Sequence, residues 1–307
     1  MAANYWESTQ RKHWQFTRQQ LDELRKNLED EDQNLVQMYP LPQVRHLSIY
    51  FNQQIGRLGK RLGVRQQAMA TAQVYIRRFY SKVEIRRTNP YLVIATAVYL
   101  ACKMEECPHH IRLVVSEGRA LWPDFFSSDT SKLGECEFFL ISEMSSQMIV
   151  HQPYRTLSAL QATLSLTQEE AALSWSIIND HYMTDLPLLF APHIIAIMAI
   201  LLALVLRPTA TGIQSASSSA STIASAAQGA LSSAGQLKAG GAESKVGGER
   251  SEVQRLSNWL AESNIDIEAI VDCTQEIISF YEFQEQYNEK LTREQINRFV
   301  KARGLDK

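Results

Sequence analysis

Two prolines, Pro90 and Pro192, stand 102 residues apart, and each opens a stretch that is apolar on nearly every side: "PYLVIATAVYLACK" and "PHIIAIMAILLALVL". Proline suits the first turn of a helix, where its missing N–H would have had no partner. A helix that is apolar all round has no face to offer water, so other helices must surround it. The same offset sets Gln66 against Gln168, Ala70 against Ala172, Ile76 against Ile178 and Tyr80 against Tyr182. The identities are few, yet helix order and spacing recur. That pattern predicts a duplicated all-helical unit of roughly 100 residues.

The second apolar stretch runs unbroken for thirteen residues, 194–206. From Pro192 to Leu206 a helix rising ~1.5 Å per residue gives a rod of roughly 22 Å. That falls short of the ~30 Å hydrocarbon core of a bilayer. Pro187, Pro192 and His193 also interrupt the apolar residues before it. A buried central helix is expected, and no membrane partner. The N-terminus has no uninterrupted apolar segment of the secretory kind. A net charge of -2 gives no global attraction to nucleic acid. Four cysteines suit a reducing compartment without a disulfide framework.

Period-3.6 patterning dominates the rest. Val44, Leu47, Phe51, Ile55 and Leu58 mark one helix face, and Met69, Ala72, Ile76 and Phe79 a second, with Gln73 and Arg77 opposite. Leu133, Cys136, Leu140, Met144 and Met148 carry a later face. In the second repeat Leu157, Leu160 and Leu164 are followed by Ala171, Trp175, Ile178 and Tyr182, and by a face from Ile267 to Tyr281. "IRLVV" (111–115) is read as a short helix rather than a strand, and a polar helix, "TREQINRFVKAR", closes the chain. Residues 209–250 are Ala/Ser/Gly-rich without an aromatic, a composition that predicts a disordered loop.

Chemistry is sparse. Cys102, Cys107, His109 and His110 supply ligand types, but C-x4-C-x-H-H lacks the paired spacing of zinc modules, and no metal is expected. Glu105 and Glu106 are adjacent, so on a helix they diverge by about 100° and cannot serve one substrate atom. No phosphate loop, nucleophile elbow or H-E-x-x-H is present, so neither catalysis nor a cofactor is expected of this chain. Between Arg57 and Arg87 lie nine basic residues and one acid, Glu84. Solvated helix faces, a nucleic-acid footprint and a complement to an acidic protein patch all fit that stretch. Tyr5, Trp6, Trp14 and Phe16 precede the first repeat, as interface anchors or as side chains folded back on the repeats. The helix ending "YLACKMEE" raises a separate question, because a buried helix gathers its charges at one end.

"RQQAMATAQVYIRRFY", "NPYLVIATAVYLACKMEE" and "LGECEFFLISEM" resemble successive helices of a cyclin box. "NYWESTQ", "HQPYRTL" and "INDHYMTDLPLLF" are most similar to the cyclin C branch, the cyclins of the Mediator-associated kinase. The resemblance implies an all-α fold of two tandem cyclin-box repeats of about five helices each, with an N-terminal helical arm. Its boundaries would be an arm over 1–40, a first box over 41–150, a second over 151–290 interrupted by 209–250, and a tail over 291–307. It further implies a nuclear regulatory subunit that activates a cyclin-dependent Ser/Thr kinase of the Mediator kinase module. Other Mediator subunits would be partners, and RNA polymerase II and transcription factors the substrates. Lys103 and Glu135 match the residues that grip the kinase near its movable αC helix; Glu106, Trp6 and Trp14 complete the expected kinase-binding set. Trp175, Asp180 and Tyr281 match a groove for a partner segment. The M-R-x-I-L substrate-docking signature is absent, its place reading "HLSIYFNQQIG". The alternatives are a B-type general transcription factor that binds DNA, though the C-x2-C pairs of its zinc ribbon are missing, and a helical scaffold.

Overall fold

The computed structural model describes residues 4–206 and 250–306, and among these the chain forms fifteen α-helices, two 3-10 turns and no strand. The low-complexity stretch 209–249 lies outside the described residues. The chain divides into two compact units, one ending at Gln152 and regaining the chain from Tyr287, the other spanning Pro153–Gln286.

The first unit begins with short helices α1 (Thr9–His13), α2 (Arg18–Glu31) and α3 (Gln33–Met38). Then come α4 (Val44–Leu62), α5 (Gln66–Tyr80), α6 (Pro90–Met104), α7 (Ile111–Leu121) and α8 (Thr130–Glu143). "IRLVV" thus opens a helix, as its sequence suggested. Helix α6 is the hub and packs against α4, α5, α7 and α8. Its start is fixed by Asn89, whose side chain accepts the Tyr91 N–H at 3.0 Å, with Pro90 in the first turn. Tyr91 and the run Val93–Val98 are buried, as are Leu100, Ala101 and Cys102. Helix α4 ends at Gly63, whose φ of 67° is the left-handed conformation that glycine adopts without strain. Helix α5 is more enclosed than its pattern suggests. Gln73, expected on the polar face, is buried, and so is Arg78.

The second unit holds α9 (Tyr154–Thr163), α10 (Gln168–His181), α11 (Leu186–Leu189), α12 (Pro192–Leu206), α13 (Arg250–Glu262) and α14 (Ile267–Gln284). Its hub is α12, packed against α9, α10, α13 and α14. A capping box starts α10: Thr167 accepts from the Glu170 N–H, and Glu170 accepts from the Thr167 N–H at 2.7 Å. No helix among the described residues is long and apolar enough to cross a membrane.

The last helix, α15 (Glu289–Ala302), returns to the first unit and packs on α4. It is amphipathic, not merely polar: Ile296, Phe299 and Val300 join the first unit's core. Asn297 accepts from the Tyr91 hydroxyl at 2.6 Å, and Asn89 donates to the Leu305 carbonyl at 3.0 Å.

Candidate functional site

Helix α6 leaves the core at its C-terminus through a left-handed corner. Glu106 has φ 55°, its N–H bonds back to the Lys103 carbonyl at 3.4 Å, and the Cys107 N–H bonds to the Cys102 carbonyl at 2.9 Å. These are the two bonds of a Schellman motif, which satisfy helix-end carbonyls. The corner delivers Lys103, Met104 and Glu106 to solvent, while Cys102 stays fully buried. This explains the cluster of charges: the hub helix surfaces only here.

Lys103 donates to Glu137 of α8 at 2.6 Å, and its ammonium lies 5.0 Å from the Tyr99 ring centroid. The expected companion, Glu135, is exposed on another side of α8. Helical geometry gives the reason. Leu133, Cys136 and Leu140 are the buried stripe of α8; Glu137 is one turn from Leu133 and flanks that stripe, whereas Glu135 projects to the far side. The periodicity held this signal. Glu105, which the sequence reading left without a role, accepts from the Thr71 hydroxyl at 2.6 Å and from the Gln152 amide at 3.4 Å, tying the corner to α5 and to residue 152. Phe138, next in sequence to Glu137, is 76% exposed, and Met104, next to Lys103, is 42% exposed.

The two tryptophans of the arm part company. Trp6 is 54% exposed, with the Arg11 guanidinium 5.0 Å from its ring. Trp14 is 2% exposed, donates its indole N–H to the Gln147 side chain at 2.6 Å and stacks over the Arg78 guanidinium at 5.1 Å. Arg78 in turn donates to the Gln147 carbonyl at 2.8 Å, and burial lowers its pKa to about 10. Gln10 makes a two-point contact with the His151 backbone, accepting from its N–H at 2.7 Å and donating to its carbonyl at 3.3 Å. Trp14 is therefore a core residue, which corrects its expected place in a kinase-binding set: a side chain that is already enclosed offers a partner no surface. Only Trp6 remains accessible.

Much of the basic stretch is matched within the chain. Arg57 pairs with Glu289 at 2.7 Å, Arg61 with Glu117 at 2.5 Å, Arg87 with Asp32 at 2.5 Å, and Arg86 with Glu84. With Arg78 buried as well, the free positive surface is smaller than the residue count suggests. No group of three His, Cys, Asp or Glu side chains able to hold a metal gathers among the described residues.

In the second unit, Trp175 is half-buried and stacks on Tyr154, ring centroids 4.4 Å apart, while the Tyr154 hydroxyl donates to Asn179 at 2.7 Å. The Tyr281 hydroxyl donates to Asp180 at 3.0 Å. Burial raises the pKa of the Asp180 carboxyl, and the bond from Tyr281 partly offsets that. The structure thus brings Asp180 and Tyr281 into contact, and places Trp175 one helical turn before Asn179 on α10.

Known proteins now bear on these features. Residues 15–149 match the cyclin N-terminal domain family. A Neurospora crassa protein named "RNA polymerase II holoenzyme cyclin-like subunit" is 58% identical, aligned along 100% of both chains. Proteins of the same name from Gibberella moniliformis and Aspergillus fumigatus are 60% and 57% identical, again over 100% of both chains. Among solved structures, a chain of the CAK complex from Chaetomium thermophilum bound to ATP-γ-S superposes with TM-score 0.63 at 18% identity, covering 97% of this chain and 88% of that one. A chain of the yeast TFIIK complex gives TM-score 0.56 at 15% identity, covering 89% and 100%. At such identities the structures speak to the fold, while the fungal relatives speak to kinship. Two helical hubs a fixed offset apart, a full-length match and the cyclin-domain match over the first unit agree: the chain belongs to the cyclin family, among the RNA polymerase II holoenzyme cyclin-like subunits.

Proposed function

We propose that this chain is the non-catalytic regulatory subunit of a nuclear cyclin-dependent kinase, one that serves the Mediator kinase module and phosphorylates RNA polymerase II and transcription factors on Ser/Thr. The observation that carries the reading is the α6 corner. A lysine held by Glu137 stands at the solvent-facing end of the hub helix, and the residues that follow the two in sequence, Met104 and Phe138, are exposed. The relatives' names, which place them in the polymerase holoenzyme, supply the setting.

The chemistry belongs to the kinase. Its β3 lysine and αC glutamate must pair before phosphoryl transfer, and the position of αC controls that. A partner that binds the αC-in form more tightly than the αC-out form shifts the population toward activity by that difference in affinity. An ammonium offers three donors and no acceptor. Glu137 occupies one donor of Lys103, leaving the others for carbonyl groups on the kinase. Glu106 at the corner, and Glu135 on the outer side of α8, accept from kinase N–H groups. Trp6 adds an aromatic anchor specific to one kinase, and Trp175, Asp180 and Tyr281 serve a second partner segment, such as another Mediator subunit.

Co-expression with a Mediator-type cyclin-dependent kinase tests the proposal. The pair is expected to co-purify and to phosphorylate peptides of the polymerase C-terminal domain faster than the kinase alone. Co-purification without stimulation would favour the scaffold reading, and failure of both would reject the assignment.

A further inference from the structure

The α6 corner also brings two thiols together. In a Schellman motif the residue after the left-handed position folds back onto the last turn of the helix, usually to make an apolar contact. Here those two residues are Cys107 and Cys102, joined by the 2.9 Å backbone bond already described. Bond lengths in series limit residues so joined to a Cα separation under about 7 Å. Disulfides span roughly 4.4–6.8 Å between Cα atoms. We propose that Cys102 and Cys107 are a redox modification site, a dithiol that a hydroperoxide converts to an intramolecular disulfide.

The two cysteines differ in the way such a reaction needs. Cys102 is fully buried among the first unit's core side chains, and Cys107 is half-buried at the corner. Burial, followed by interaction with the Cys107 thiol, pushes the Cys102 thiol up to about 12. Cys102 therefore stays a thiol at neutral pH and does not react first. Cys107, nearer solvent, meets the oxidant. Its sulfur displaces one oxygen of the hydroperoxide, giving a sulfenic acid and an alcohol or water. The Cys102 sulfur then attacks the sulfenic sulfur; the S–O bond breaks and water departs with the Cys102 proton. One hydroperoxide is reduced by two electrons, and one S–S bond forms. The remaining cysteines, Cys136 and Cys273, are buried and stand outside this corner. The site rests on the backbone geometry of the corner and the burial of the two thiols, and is independent of the kinase reading.

The test uses the full-length protein, hydrogen peroxide and mass spectrometry. Trypsin cuts after Arg87, Lys103 and Arg112, so the two cysteines fall in different peptides, 88–103 and 104–112. After peroxide, blocking of free thiols and non-reducing digestion, the two peptides are expected as one linked species that dithiothreitol separates. Cys107→Ser, at a position only half enclosed, is expected to keep its circular dichroism and lose the linked species. Free Cys102 after peroxide, or Cys107 carried to sulfinic acid without a link, would overturn the proposal.

Discussion

Helices α6 and α12 start 102 residues apart, share a fifteen-residue length and each pack against four helices, yet their last turns differ in residue type. At the repeat offset, Lys103 of α6 corresponds in sequence to Val205 of α12, Cys102 to Leu204 and Met104 to Leu206. The hub needs only apolar surface and a defined start, and both copies supply these. Among the described residues of the two hubs, only the last turn of α6 carries a cation, Lys103, and that lysine is the docking group proposed above.

The arm is a second difference, and truncating its inner tryptophan gives the largest expected effect. Trp14→Ala empties a core position and leaves Gln147 and Arg78 without their packing partner; such truncations cost ~3–5 kcal/mol. Urea unfolding should show that loss, while Trp6→Ala leaves the midpoint unchanged and weakens kinase binding alone. If both variants unfold alike, the arm's division into an inner and an outer tryptophan is wrong.

The hubs can be compared directly at equivalent positions. Val98 and Ile200 stand at the repeat offset and are 1% and 0% exposed. Ile200→Ala is expected to cost ~2–5 kcal/mol, and Val98→Ala somewhat less, since it removes fewer carbons. A strong effect in one helix and none in the other would break the equivalence of the two frameworks.

A smaller effect sharpens the second unit. Burial holds the Asp180 carboxyl above its unfolded value of 3.8. A carboxyl raised in this way favours the folded state while protonated, below the unfolded value, and that contribution is lost as pH rises through the folded value. Asp180→Asn is therefore expected to raise the melting temperature near neutral pH and to give no advantage in acid. Tyr281→Phe should cost about 1 kcal/mol, the usual net value of one hydrogen bond. A stabilising effect of Asp180→Asn that persists in acid would reject the titration argument.

The repeat, the hub helices and the helical nature of 111–115 were legible because proline starts and 3.6-residue periodicity are local signals. The burial of Trp14 was not, since it depends on Gln147, 133 residues away. The partner of Lys103 was half legible. The stripe Leu133–Cys136–Leu140 puts Glu137 at its flank, but its pairing with Lys103 shows only when α8 is placed beside α6. The left-handed corner at Glu106 carries no glycine to announce it, so the meeting of Cys102 and Cys107 follows from backbone geometry rather than from spacing.

The central claim, that docking resides in the first hub alone, is tested most directly by titrating the kinase against wild type, Lys103→Ala and Val205→Ala. Lys103 makes a surface ion pair, and such pairs contribute ~0–1 kcal/mol to folding. Circular dichroism and melting should thus hold in both variants. Lys103→Ala is expected to weaken the kinase by at least tenfold, about 1.4 kcal/mol, with activation falling in parallel, and Val205→Ala to bind as wild type does. Equal affinity for wild type and Lys103→Ala, or an equal loss in Val205→Ala, would contradict the account.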